Sequence, residues 1–273
     1  MAARWGAPVV FFRDDDVTRM VPQLRVLVDL FLEVGVPCNF QVIPTMLTAE
    51  AADWLCARHA RAPALLHFNQ HGSSHERYGD DAMPFGEFGL GRSLEEQRAL
   101  IRDGQERLRR ALGEAFSPAV FSPPWHRYDA TTVQALELEG VSLLTARLRT
   151  GAMARAFYRV GRALRAVELG GHVVSHHGHP IARTRVLELS PSIDVDEDFD
   201  RNGRRALHSA DALRRAIYSQ ARHDRVVGIN LHHFKQGGAR GEVPSILRRL
   251  IMDLRRDGCE FRSLEDLVAE LKA

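Results

Sequence analysis

Three adjacent carboxylates, Asp14, Asp15 and Asp16, follow an apolar run and Arg13. Neighbouring carboxylates repel one another, so holding three at the end of a strand suggests a cation or a shared proton. A hydrated turn or a helix cap would use the same residues. In His71-Gly72-Ser73-Ser74-His75 two histidines stand four apart. They can reach one metal if the segment turns helically, because such positions share a face. Gly72 occupies the position where a zincin carries its glutamate base, which argues against that class of metalloprotease. In Phe121-Ser122-Pro123-Pro124-Trp125-His126, two prolines stiffen a loop beside an aromatic that could stack on a sugar ring or close a pocket. A proline-rich turn around a core tryptophan is the plainer use. Asn230-Leu231-His232-His233-Phe234 offers imidazoles that can give or take a proton near neutral pH, against the plainer use of a satisfied buried histidine.

Each motif follows a segment that reads as a strand. The strand candidates are Pro8 to Phe12, Asn39 to Ile43, Ala64 to Gln70, Val120 to Ser122, Val141 to Thr145, Gly171 to Ser175 and Val226 to Leu231. Helical spacing lies between them. It runs from Leu24 to Leu32 with a stop at Gly35, from the capping box Ser93-x-x-Glu96 through Leu94, Ile101 and Leu108, and from Ile246 to Leu254. A βαβα rhythm predicts a parallel sheet with helices outside it. The expectation is an α/β fold, a deformed TIM-like (β/α) barrel of about seven strands, as a single domain over residues 1–273. Alternation supports it: His67, Asn69 and His71 share one strand face, as do Gly228, Asn230 and His232. A polar face would line the lumen, and chemistry belongs at its C-terminal end.

The 273 residues are 45% hydrophobic and 26% charged, which excludes a disordered chain. With 37 basic and 35 acidic residues interspersed, there is no basic stripe for a nucleic-acid backbone. Lysine occurs only at Lys235 and Lys272; the arginine bias carries no functional weight. Ala7 to Phe12 is too short and too acidic at its end for a secretory segment, and no stretch approaches a membrane span. Cys38, Cys56 and Cys259 are scattered, an odd number without metal spacing, so a reducing cytoplasmic setting is expected. Oligomeric state is left open.

Taken in order, the four motifs resemble those of the polysaccharide deacetylase family, the NodB-homology carbohydrate esterases, from Val10 to about Phe234. Gln70-His71-Gly72, Glu87-Phe88-Gly89 with Arg92, and Phe121 to Trp125 resemble its divergent intracellular branch. The resemblance implies one divalent metal, zinc first, with cobalt, manganese, iron or nickel also compatible. Its ligands would be Asp16, His71 and His75, with Asp15 as general base and His232 or His233 as the acid. Pro124 and Trp125 would lie against the substrate, where a loop N–H helps hold the oxyanion. The implied reaction is removal of an N-acetyl or O-acetyl group from a hexosamine-containing glycan, glycoconjugate or sugar precursor.

The chain departs from the family pattern in three places. Asp14 could compete with Asp15 for the base role. The arginine expected in the proline motif is absent, with Ser122 near its place. Leu231-x-His233 fits the family wording, whereas strand parity turns His232 inward, and His232 is ranked first. Four more histidines, His172, His176, His177 and His179, read as a solvated loop. Asp194, Asp196, Asp198 and Asp200 lack the glycine and glutamate of a calcium loop, but one of them could partner the acidic histidine. The loop from Glu76 to Gly91, with Tyr78, Phe85 and Phe88, is expected to shape the pocket. Two other classes fit parts of the pattern: a catalytically altered carbohydrate-binding relative, and a non-haem iron oxygenase with a two-histidine, one-carboxylate triad.

Overall fold

The structure, a computed structural model, describes residues 7–79, 86–89, 91–195, 198–199, 205–234 and 242–272. Its wall is built from β1 (Val9–Val17), β2 (Cys38–Val42), β3 (Leu66–His71), β4 (Phe116–Ser122), β5 (Leu143–Leu144), β6 (Leu187–Glu188), β7 (Ile193–Asp194) and β8 (Val226–Leu231). These run parallel in the order β7-β8-β1-β2-β3-β4-β5-β6. The helices are α1 (Pro22–Val34), α2 (Ala49–His59), α3 (Leu94–Leu112), α4 (Ala130–Leu138), α5 (Ala152–Ala163), α6 (Ala210–Ala221), α7 (Glu242–Arg256) and α8 (Leu264–Lys272). The fold is the deformed (β/α) barrel that the rhythm predicts.

One segment completes the wall. Leu187 and Leu189 donate backbone N–H groups to Ser142 and Leu144, beside β5, and Ser192 and Val195 donate to Gly228 and Asn230 on β8. Since β6 and β7 belong to one stretch of chain with no helix between them, the barrel has about seven walls, with this stretch changing partner midway. The sequence reading placed the sixth strand at Gly171 to Ser175 instead. Of those residues, His172–Val173 alone forms a strand, antiparallel to Glu168–Leu169 and off the main sheet. The true wall, LELSPSID, is broken by Pro191, which lacks a backbone donor and hides the strand pattern.

Helix ends follow their local signals. Pro22 opens α1, Gly35 closes it in the left-handed region at φ 60°, and Ser93 and Glu96 form both bonds of the predicted capping box on α3. Leu24, Leu27, Val28, Phe31 and α7's Leu247, Leu250 and Leu254 pack with Val10 and Phe12 in the layer outside the sheet. Phe11 points the other way and packs with Val120, Leu143 and Leu189 above α8's Leu264 and Leu267. A Cβ on Gly228 would lie 2.2 Å from the Phe11 ring, so that glycine makes room in the lumen. Beside this apolar plug, Glu265 of α8 accepts from the Asn39 and Asn69 side-chain amides at 2.7 and 2.6 Å. The polar strand faces are thus satisfied at the closed end, and their other ends form the mouth.

Candidate metal centre

Strand β1 runs further than Phe12, through all three aspartates to Val17, with a register shift between Asp14 and Val17. Phe11, Arg13 and Asp15 fall on its lumen face by alternation. Asp16 should then turn outward, but its φ of 67° breaks the alternation. Its Oδ1 lies 3.3 Å from Nε2 of both His71 and His75. One ligand atom from each of the three residues falls within 4.8 Å of the others, and they form the one such cluster among the described residues. Burial opposes ionisation of Asp16, yet the His71 hydrogen bond and the two imidazoles hold its carboxyl well below the usual carboxylate range.

The imidazoles are aimed by their surroundings. Nδ1 of His71 lies 3.1 Å from the Ser122 carbonyl, which can only accept, so Nδ1 carries a proton and Nε2 faces Asp16. Burial presses His71 towards neutrality, but Asp16 and Asp15 outweigh it and raise its pKa. His75 goes the other way, lowered by burial and by His71. Between them the chain turns under Glu87, whose buried carboxylate accepts from the N–H groups of Ser73, Ser74 and His75. Gly72 has φ 58°, and a Cβ there would meet Glu87 at 2.2 Å and Pro124 at 2.4 Å. The residue that argues against a zincin is therefore the one that lets this loop close.

Arg13 is fully buried and spends its whole guanidinium within the lumen. Nε donates to Asn230 at 3.1 Å, Nη1 to Thr145 and the Ala146 carbonyl, and Nη2 to Asp15 Oδ2 at 2.8 Å. Asp15 thus receives its arginine from its own strand, two residues back, where the proline motif has none. Burial raises the Asp15 pKa, but Arg13, His71 and His232 prevail and bring it down to about 2. Oδ1 of Asp15 is buried and has no hydrogen-bond partner among the described residues.

The two histidines after β8 separate. His232 Nε2 stands 3.9 Å from Asp15 Oδ2, and its Nδ1 stands 3.8 Å from Asp194 Oδ2. His233 is fully buried, its Nδ1 lies 2.7 Å from Asp14 Oδ2, and its N–H donates to Asp14 Oδ1. Asp14 and His233 are therefore committed to each other. Trp125, at φ 52° and 38% exposed, tilts over His75 with ring centroids 4.3 Å apart. Its neighbour His126 shares a small cavity with Arg147, Ser192, Asp194 and Asn230. Burial and Arg13 keep His126 well below its ordinary pKa, as a neutral imidazole.

Two expectations change and a third is narrowed to one residue. His176 and His177 are buried, not solvated: His177 accepts the Ser190 N–H at Nδ1 and so donates from Nε2 to the Val226 carbonyl. Phe88 is a core residue, edge-on to Phe121, and Tyr78 lies under the Arg92 guanidinium; Phe85 lies outside the described residues. Of the Asp194 to Asp200 run, Asp194 reaches the site, while Asp196 and Asp200 lie outside the described residues and Asp198 falls in a short strand, Asp198–Phe199. Arg13 and Glu87 were not assigned these parts from sequence, whereas Asp194 is one of the four aspartates offered as partner to the acidic histidine. The absent arginine of the proline motif was the signal that could have pointed to Arg13.

No family model matches the sequence, and no curated protein aligns with it. Solved structures do. A Mycobacterium smegmatis protein assigned as a polysaccharide deacetylase superposes with a TM-score of 0.65 at 16% identity, over 98% of this chain and 94% of that one. The fold is that of the polysaccharide deacetylases. A family 4 acetyl xylan esterase from Clostridium thermocellum, solved with a cobalt ion, matches with a TM-score of 0.55 at 15% identity, over 96% and 90% of the two chains. A family 4 pseudoenzyme from Bacillus anthracis shares the polysaccharide deacetylase fold too, with a TM-score of 0.54 at 10% identity over 96% and 66%. Identities this low establish architecture, and activity has to be argued from the site.

Proposed function

We propose that the chain, acting as one barrel domain, is a metal-dependent deacetylase. It would hydrolyse an N-acetyl or O-acetyl group on a hexosamine-containing glycan, glycoconjugate or sugar precursor in the cytoplasm. The observation that carries this reading is the convergence of Asp16, His71 and His75 beside the buried Asp15 Oδ1, which has no hydrogen-bond partner among the described residues. Two imidazole nitrogens and one carboxylate oxygen suit a borderline divalent ion, zinc first, and leave coordination positions open. When bound there, such an ion polarises a carbonyl and acidifies its water.

The chain's own residues would do the rest. Asp15, ionised at neutral pH and anchored through Oδ2 by Arg13, would take a proton from the attacking water at Oδ1. Pro123 and Pro124 have no backbone N–H, so within that loop the Trp125 N–H would be the donor to the developing oxyanion. Pro124 packs beneath the loop and Trp125 forms the rim where a sugar ring would stack. His232, between Asp15 and Asp194, would protonate the leaving amine or alkoxide. His233 has the weaker claim because Asp14 occupies its Nδ1.

A carbohydrate-binding relative without turnover is the alternative, with the Bacillus anthracis pseudoenzyme as a precedent in the same fold. The oxygenase reading gains no support from the solved structures named above, an assigned polysaccharide deacetylase, an acetyl xylan esterase and a family 4 pseudoenzyme. Metal analysis of purified protein beside His71→Ala and Asp16→Asn, with acetate release from N- and O-acetylated sugars, tests the proposal. About one equivalent of divalent ion, lost in both variants, together with acetate release that Asp15→Asn abolishes, is the expected result. Metal binding without acetate release from any sugar would favour the binding relative. A folded protein that takes up no divalent ion after reloading would end the proposal.

A further inference from the structure

Between Glu139 and Glu168 the chain carries six arginines and no carboxylate. The centre of this stretch is α5, which turns apolar side chains to solvent: Met153 is 89% exposed, Val160 55% and Leu164 64%. Spacings of seven and four put the three on one helical face. The inward contacts of α5 centre on a different face, with Tyr158 and Gly161 buried and Ala154 and Phe157 partly buried beside them, and a Cβ on Gly161 would strike Val174 at 2.4 Å. A helix that served only the core would turn its apolar stripe there. Here the core takes Tyr158 and Gly161, and the apolar stripe is left over.

Arginines flank that stripe. Arg159 and Arg165 are exposed, while Arg155 and Arg162 are half-buried and donate to the carbonyls of Thr150 and Ser175. We infer that α5 is a docking helix for an anionic lipid surface. Met153, Val160 and Leu164 would enter the boundary between headgroups and acyl chains, and the arginines would reach lipid phosphates with their stems lying along it. Charge decides the occupant. A second copy seated on this face would bring both sets of arginines together, and the stretch between Glu139 and Glu168 supplies no carboxylate to pair with them. Three side chains on one helix also fall far short of the roughly 800 Å² that each partner of a stable complex buries.

The helix stands at the barrel's rim. The chain leaves β5 at the mouth end, passes Arg147 in the cavity beside Asp194 and Asn230, and then enters α5. Docking through α5 would set the mouth beside the lipid headgroups. The inference does not depend on the deacetylase reading, since its test reads binding and not turnover.

The 273-residue chain is co-sedimented with vesicles of phosphatidylcholine alone and with vesicles containing about one third phosphatidylglycerol. Expected is binding to the anionic vesicles only, weakening as salt rises. A triple variant, Met153→Ser with Val160→Ser and Leu164→Ser, should bind roughly tenfold or more weakly while keeping its circular dichroism and Tm. Arg159→Glu with Arg165→Glu should weaken binding comparably. Absence of binding at low salt, or a triple variant that binds like wild type, overturns the inference. A lipid-independent dimer that the triple variant dissolves would assign the face to a second copy instead.

Discussion

The guanidinium of Arg13 meets the carboxylate of Asp15 at 2.8 Å, two residues along one strand, with both side chains shut away from water. Asn230, Thr145 and Ala146 hold the remaining guanidinium nitrogens, so the arginine is fixed from two other strands, β8 and the end of β5, besides its bond to the aspartate. This pair ties the barrel wall to the oxygen proposed as the base.

Breaking that pair should cost stability and not only activity. Arg13→Met leaves a buried carboxylate without its cation, worth about 3–5 kcal/mol of destabilisation. Adding Asp15→Asn should recover part of the loss, because the uncompensated charge goes with it. The sign with pH follows. In wild type the Asp15 pKa falls from 3.8 to about 2, so its contribution is present above the ordinary carboxylate range and lost as pH falls towards 2. The stability gap between wild type and Arg13→Met should therefore narrow in acid. Urea denaturation of the four proteins at neutral pH and near pH 3 measures this, and simple additivity of the two substitutions would contradict the coupling.

His232 and His233 should fail in opposite ways. His233→Ala strips Asp14 of its buried partner and should lower Tm markedly, by an amount equivalent to about 3–5 kcal/mol. His232→Ala faces the mouth, should keep Tm near wild type, and should reduce deacetylation by about 10²–10⁴-fold if it is the acid. Thermal melts beside acetate-release kinetics separate the two. Loss of turnover in a stable His233→Ala protein would reverse their assignment.

The turn between His71 and His75 should be as sensitive as the histidines. Glu87→Gln removes the charge that three successive N–H groups share, and should weaken divalent-metal affinity by about 10–100-fold. Gly72→Ala forces a Cβ into Glu87 and Pro124 at a left-handed backbone position, and should lose both metal affinity and some stability. Metal titration calorimetry with a Tm for each variant is the check. Unchanged affinity in Glu87→Gln would mean that the loop holds its shape without that carboxylate.

Much was legible in the sequence because it is local. Hydrophobic period, the Ser93 capping box, the Gly35 stop and strand alternation each depend on neighbouring residues, and they sufficed for a parallel barrel with polar strand ends. Alternation also favoured His232 over His233, and the structure places those two on opposite sides of β8's end. What the sequence could not decide was register and closure. Leu187 to Asp194 reads as a broken loop, and becomes wall only because β5 and β8 each lend it half a ladder. Asp16 leaves the face that alternation assigns it because of a bulge that pairing with β2 imposes. The use of Arg13 and Asp194 rests on partners far along the chain, and such contacts exist only once the barrel has closed.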